Sequence, residues 1–222
     1  MANVLLGVTG SVAAVKVPDL YAIFRAAGHD VKIVTTTAGL FFFDPARLDA
    51  TFEGRNPAVV ATDADEWPGR DDGDKYARGN AVLHIELRRW ADVFVVAPLD
   101  ANTAGKFANG LCDNCLTCVW RAWDPAKPVV LAPAMNSHMW THPMTRRHLR
   151  CIAMDFGAAH VPASLEDEAL IAQLNARSRG LRIVPPVVKE LACGDTGVGA
   201  MAEPATILAN LTEMLAGSAG SP

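Results

Sequence analysis

A doubly wound parallel sheet with helices on both faces is the fold class that this sequence predicts. Short runs of apolar and β-branched residues alternate along the chain with longer stretches whose apolar residues recur at helical spacing. The short runs are apolar at successive positions, which is the pattern of strands buried on both faces. A glycine-rich turn directly after the first run makes the layout a flavodoxin-like or Rossmann-like three-layer α/β/α arrangement, and composition leaves the strand order open. A length of 222 residues suffices for one large α/β domain and not for two, so residues 1–222 are read as one domain.

The first strand is 3–8 (NVLLGV), and Gly7-Val8-Thr9-Gly10-Ser11 follows as the turn. Residues 12–27 place Ala13, Val17, Leu20, Ile23, Phe24 and Ala27 on one helical face and stop at Gly28. Strand, glycine turn and helix start together suit a phosphate, because backbone N–H groups and the positive end of the helix dipole face outward. The turn is neither GxGxxG nor GxxxxGK(S/T), so dinucleotide and P-loop readings lose support. The second strand, 29–35, ends in Thr35, Thr36 and Thr37, whose hydroxyls also suit the cap of a helix over 38–43. A third strand is expected at 58–62. Residues 63–80 (DADEWPGRDDGDKYARGN) are dense in charge, Gly and Pro and read as a surface loop.

Residues 82–91 return to a helical pattern, with Leu83, Leu87 and Trp90 on one face and His84 offset towards the polar side. After a strand at 93–97, Pro98, Leu99, Asp100, Ala101, Asn102 and Thr103 again put polar groups at a strand's carboxyl end. Helical patterns fill 103–122. Cys112, Cys115 and Cys118 form CxxCxxC there, but a ferredoxin-type run needs a further Cys near Ala122 followed by Pro. Leu111, Cys115 and Val119 at i, i+4, i+8 are therefore read as one packed helix face, with no metal expected.

Residues 129–132 follow a Lys-Pro turn as a buried strand that Pro133 ends. Ala134, Met135 and Asn136 then stand where the chain leaves the carboxyl edge, the place where open α/β sheets bind ligands. Asn136, between Met135 and Met139, suits holding a small anion through its amide; it equally suits capping a helix whose first turn is 137–140. A helix is expected over 139–156, with His142, Arg146, Arg147 and His148 mostly outward, and a strand at 158–162. Ser164 and Asp167 form a capping box for a helix to about Ala176, and 181–184 is a last short strand. Residues 191–201 (LACGDTGVGAM) read as a flexible flap rather than a strand or helix, able to close over a ligand. Residues 217–222 read as a frayed tail.

The balance of 50% hydrophobic and 20% charged residues is that of a soluble globular chain. A net charge of −4, with scattered Lys and Arg, argues against nucleic-acid or anionic-membrane partners. No apolar stretch approaches a membrane span and the first residues lack signal-peptide character, so a cytoplasmic protein is expected. Five cysteines, an odd number, suit free thiols in a reducing compartment.

PAMNSHMW (133–140) resembles the PxMNxxMW signature of the homo-oligomeric flavin-containing cysteine decarboxylases at every fixed position. Three further strings agree, in the family's order. Gly10-Ser11-Val12-Ala13-Ala14-Val15-Lys16 resembles G(G/S)xAxxK, HIELRRWAD (84–92) resembles HI(D/E)LxxWAD, and ACGDTGVGAM (192–201) resembles ACGDxGxGAM. The resemblance covers about residues 3–157 and 185–215. Residues 164–182 read longer than the corresponding family connection, and Asp100 stands where many relatives have Ser.

The resemblance implies an FMN cofactor. Gly10, Ser11, Val12, Thr35, Thr36 and Thr37 are implied at its phosphate, and Asp100, Ala101, Asn102, Thr103 and Ala134 along the rest of it. It also implies three catalytic residues: Asn136 gripping the carboxylate that leaves as carbon dioxide, His84 as the base for the substrate thiol, and Cys193 as the final proton donor. Asn136, Met139, Glu190, Leu191 and Ala192 are the implied substrate contacts, the last three in a clamp over 190–201. The implied reaction is oxidative decarboxylation of 4′-phosphopantothenoylcysteine with re-reduction to 4′-phosphopantetheine, a step of coenzyme A synthesis. The alternative is decarboxylation of a peptide's C-terminal Cys to an enethiol, which needs no reducing thiol, so Cys193 favours the first. Phosphatase-inhibiting relatives carry a long acidic tail, whereas 216–222 is short and uncharged; a prenyl-flavin synthase lacks PAMNSHMW and ACGD. Relatives are homo-oligomers with flavin at subunit contacts, so a trimer or a multiple of trimers is expected.

Overall fold

Strands that are apolar on both sides need cover on both sides, and the computed structural model shows how the chain supplies it. The structure describes residues 1–48, 59–67, 69, 72–75, 77–162, 164–190 and 196–218. β1 (Asn3–Val8), β2 (Asp30–Thr35), β3 (Val59–Ala61), β4 (Val93–Leu99), β5 (Val129–Pro133) and β6 (Leu181–Ile183) form a parallel sheet in the order β3-β2-β1-β4-β5-β6. That is the Rossmann order, one of the two layouts left open above, and its direction of winding reverses between β1 and β4.

The helices are α1 (Val17–Ala26), α2 (Asp63–Glu66), α3 (Leu83–Trp90), α4 (Ala101–Asn109), α5 (Cys115–Arg121), α6 (Ser137–Thr141), α7 (Pro143–Asp155), α8 (Asp167–Arg177) and α9 (Pro204–Ser218). Successive strand residues point to opposite faces. Leu6, Val95 and Val130 join Leu20 and Phe24 of α1 and Ile207 and Leu211 of α9. Leu5, Phe94 and Leu131 join Leu87, Phe107, Leu116, Leu149 and Leu170 from α3, α4, α5, α7 and α8. Every residue of β4 is buried, as a central strand between two helical layers must be.

Several boundaries differ from the sequence expectations, each for a local reason. The 12–27 helix is a 3-10 turn, Val12–Lys16, followed by α1, with Pro18 in the first turn of α1 where its missing N–H costs nothing. The expected helix over 38–43 is only a 3-10 turn, Gly39–Phe41. The 103–122 stretch splits because Gly110, at φ 68, ends α4 and Asn114 caps α5. Leu111 is consequently exposed, and only Cys115 and Val119 are buried. The 139–156 stretch divides at His142-Pro143, where the His142 ring caps α7.

Residues 158–162 make no strand; β6 occupies the place beside β5. The Arg150 guanidinium takes the carbonyls of Val161 and Leu165, at 3.1 and 2.7 Å, so side-chain bonds hold this segment in place of a ladder. The Ser164 capping box does not form: α8 begins at Asp167 without a side-chain cap, and Arg146 pairs with Glu166 at 2.7 Å and Asp167 at 3.7 Å. Residues 63–80 open with a helical turn, α2, built on a Thr62–Asp65 capping box. The far end of the expected flap is a strand: β8 (Thr196–Ala200) pairs antiparallel with β7 (Val187–Glu190). α9 runs into the expected tail.

Candidate active site

The reversal of winding opens a crevice at the carboxyl ends of β1 and β4, and a buried threonine joins its two sides. The Thr9 hydroxyl donates to Pro98 O at 2.8 Å and accepts from Asp100 N–H at 2.8 Å. Asp100 then caps α4, its Oδ1 accepting from Thr103 N–H at 2.7 Å. On the β1 side, Ser11 caps the 3-10 turn by accepting from Ala13 N–H. Gly10 lies against the turn after β2: a Cβ there would stand 2.6 Å from Ala38 Cβ. Only glycine lets the two turns meet this closely.

The three threonines after β2 divide their work. Thr35 is buried and donates to Thr36 O at 3.1 Å, while Thr36 Oγ1 accepts from Gly39 N–H at 3.2 Å. Both build the turn from behind. Thr37 is exposed, and its hydroxyl donates to Asp63 Oδ2 at 3.0 Å. Small residues at Gly10, Ala101 and Ala134, hydroxyls at Ser11 and Thr37, and exposed apolar side chains at Val12 and Phe41 share this edge. That set fits a ligand with a phosphate at one end and a flat apolar body.

Asn136 follows β5 at the same edge and does cap α6, its Oδ1 accepting from His138 N–H at 2.9 Å. The cap turns the oxygen towards the helix and the amide's NH2, the donor, away from it. The β7–β8 hairpin docks directly beside it. Met135 N–H donates to Gly199 O at 2.9 Å, and a Cβ on Gly199 or Gly197 would collide with Met135 O or with Ser137 Oγ. Met139 is exposed on α6. Cys193, Leu191, Ala192 and the side chain of Glu190 lie outside the described residues.

A second cluster holds His84, at the start of α3. Its Nδ1 meets Glu66 Oε1 at 2.5 Å and its backbone N–H donates to Glu66 Oε2 at 3.0 Å. Oε2 also accepts from the Cys115 thiol at 3.3 Å, and Asp63 Oδ1 takes Cys115 N–H at 2.9 Å. Burial, reinforced by Glu66, pushes the Cys115 thiol far up, and burial with Cys112 nearby pushes Cys118 up to about 11. Both therefore stay thiols near neutrality, and among the described residues no group of three His, Cys, Asp or Glu side chains could hold a metal. The sequence places Glu66 and Asp63 in a charged loop; the Thr62–Asp65 capping pattern is the local signal for a helix there.

A third feature ties the hairpin to the glycine turn. Lys16 pairs with Glu203 at 2.9 Å, and Glu203 also pairs with Lys189 of β7. The two ammonium groups, Lys189 first, hold the Glu203 carboxyl down at about 2. The described hydrogen bonds thus place Met135, next to Asn136, with the hairpin, and His84 with Glu66 and Cys115. Thr37 and Asp63 link that second group to the turn after β2.

A winding reversal with a phosphate-compatible turn on one side and an amide donor on the other marks a nucleotide-cofactor enzyme. The Flavoprotein family model matches residues 1–216, and the chain belongs to that family. Within it, the similarity is to phosphopantothenoylcysteine decarboxylases. The mouse protein of that name is 44% identical over 214 residues, 96% of this chain and 87% of its own length. A Glycine max protein named phosphopantothenoylcysteine decarboxylase HAL3a is 45% identical over 92% of this chain and 80% of its own. Among solved structures, a Cys-to-Ser mutant of PPC decarboxylase complexed with pantothenoylaminoethenethiol superposes with a TM-score of 0.76. It is 41% identical, covering 97% of this chain and 98% of that one. The FMN binding protein AtHal3 has a TM-score of 0.74 at 41% identity, covering 97% of both chains. Among the described residues no helix is long and apolar enough to cross a membrane.

Proposed function

We propose that this protein is an FMN-dependent carboxy-lyase that converts 4′-phosphopantothenoylcysteine to 4′-phosphopantetheine in coenzyme A synthesis. The observation that carries this reading is the docking of the β7–β8 hairpin on Met135, next to Asn136. It brings β7 and β8, the strands on either side of the ACGD string in the sequence, beside Asn136, a residue whose side-chain amide can donate to a carboxylate. The names of the relatives support the substrate, and the ligand complexed with the Cys-to-Ser mutant, an enethiol, supports a two-stage reaction.

Overall the reaction is redox-neutral: one C–C bond breaks, carbon dioxide leaves and a C–H bond forms. FMN, when bound, supplies a reversible two-electron sink, which allows carbon dioxide to leave a carbon that has no stabilising carbonyl of its own. Gly10, Ser11, Val12 and Thr37 would hold its phosphate, with Thr35 and Thr36 shaping the turn behind them. Asp100, Ala101, Asn102, Thr103 and Ala134 would line the rest. Asn136 donates to the substrate carboxylate and orients it for departure. His84 takes the substrate thiol's proton. Cys193 returns a proton to the product, and Glu190, Leu191 and Ala192 contact the substrate, as the family resemblance supports. Met139 lines the mouth. The whole chain serves as one catalytic domain, in a cytoplasmic homo-oligomer that the family resemblance supports as a trimer or a multiple of trimers.

The test is the mass of the product. The purified protein is expected to be yellow, to release FMN on denaturation, and to give the saturated amide from 4′-phosphopantothenoylcysteine. Cys193→Ser is expected to stop at an enethiol lacking one pair of hydrogens. Enethiol release from a Cys-ended peptide by the unmutated protein, with no reaction on the small substrate, would overturn the assignment. Saturated product at the normal rate from Cys193→Ser would remove Cys193 from the chemistry.

A further inference from the structure

We propose that Glu66 is a positioning residue that holds His84 in the tautomer whose Nε2 is the basic nitrogen. The inference deepens the reading of His84 as the base and rests on it. Glu66 is 4% exposed, and its carboxylate collects three donors: the His84 ring at 2.5 Å, the His84 backbone N–H at 3.0 Å and the Cys115 thiol at 3.3 Å. A buried carboxylate is kept by such a set of donors. Its place is fixed from both sides. The Thr62–Asp65 capping box sets the turn of α2, and Asp63 ties α2 to Thr37 and to the start of α5.

The tautomer follows from the inventory of donors. A carboxylate only accepts, so the proton between it and the ring belongs to Nδ1, and Nε2 is left with the lone pair. No hydrogen bond from the described residues engages Nε2, and the side chain keeps 19% of its surface exposed. When a substrate thiol gives its proton to Nε2, the products are a thiolate and an imidazolium. The imidazolium keeps its Nδ1–H on Glu66, so the positive charge forms against a carboxylate already in place. Cys115 serves as a third, neutral donor that holds Oε2 without adding charge.

Glu66→Gln tests this with almost no change of shape. The oxygen of the amide is required at the Oε2 position, where a fixed backbone N–H and the thiol both donate. The NH2 then faces Nδ1, which must accept, and the ring proton moves to Nε2. The measurement is ring ¹⁵N NMR of the FMN-loaded full chain, with the His84 signals assigned by their loss in His84→Gln. Wild type is expected to show a protonated Nδ1 and Glu66→Gln a protonated Nε2. Flavin colour should be retained, and kcat should fall by about 10²-fold or more, the scale of a lost general base. A wild-type spectrum with the proton on Nε2 would overturn the proposal whatever the variant does. So would a variant that keeps the wild-type tautomer while losing activity. Normal turnover in His84→Gln would instead overturn the role of His84 and leave the tautomer result to judge Glu66.

Discussion

Asn136 shows how one side chain serves fold and chemistry together. Its oxygen is committed to the α6 cap and its donor end points away from the helix, so capping and anion binding are two ends of one amide. Asp is as good a cap as Asn but has no donor, and it would set like charge against a carboxylate. Asn136→Asp is therefore expected to keep FMN and the thermal midpoint while turnover falls by about 10²-fold or more, a few kcal/mol of lost contact. Wild-type turnover in that variant would reduce Asn136 to a cap. The sequence singles out Asn136 and His84 because each lies in a string of distinctive residues. It does not single out Glu66, since nothing local distinguishes a buried Glu in DADEW from a solvated one. Its burial comes from α3 and α5, far along the chain.

At the scale of elements, the hairpin depends on close backbone approach. Gly199 sits at φ 144 with its missing Cβ aimed at Met135 O, so a side chain there meets both strain and a backbone atom. Gly199→Ala is expected to cost about 1–3 kcal/mol of hairpin docking. Turnover should fall while flavin stays bound, and the hairpin should become sensitive to protease. Unchanged turnover and protease resistance would show that the docking seen here is dispensable. The strands of the main sheet were legible because continuous apolar runs leave little choice. β8 was not, since TGVGA has little apolar character and owes its strand to β7 and to the Met135 backbone.

The whole molecule carries a sign for its response to acid. His29 is buried beside the N-terminus; burial first, then the terminal ammonium, hold its imidazole below the ordinary 6.5. Burial, with Arg147 next, lowers His148 in the same way, where its ring packs against Gly105 of α4. A lowered histidine binds fewer protons in the folded chain than in the unfolded one. Stability is thus fully present above the unfolded value and is lost as pH falls below it, until the folded value is passed. Urea midpoints taken between about pH 7 and pH 5 should fall, and His29→Gln with His148→Gln should flatten that slope. An equally steep fall in the double variant would place the acid response elsewhere.

The sequence by itself determined the fold class, the central strands and which turns carry polar groups to the carboxyl edge. Those properties follow from runs of a few residues, where burial and turn chemistry are written locally. Tertiary structure alone decided the strand order. It also buried Thr35 and left Thr37 exposed against Asp63, and it paired Glu66 with His84 and Lys16 with Glu203. The reason is physical: hydrogen bonds and ion pairs between residues far apart in sequence exist only once the sheet has brought their elements together, and no local pattern encodes the partner.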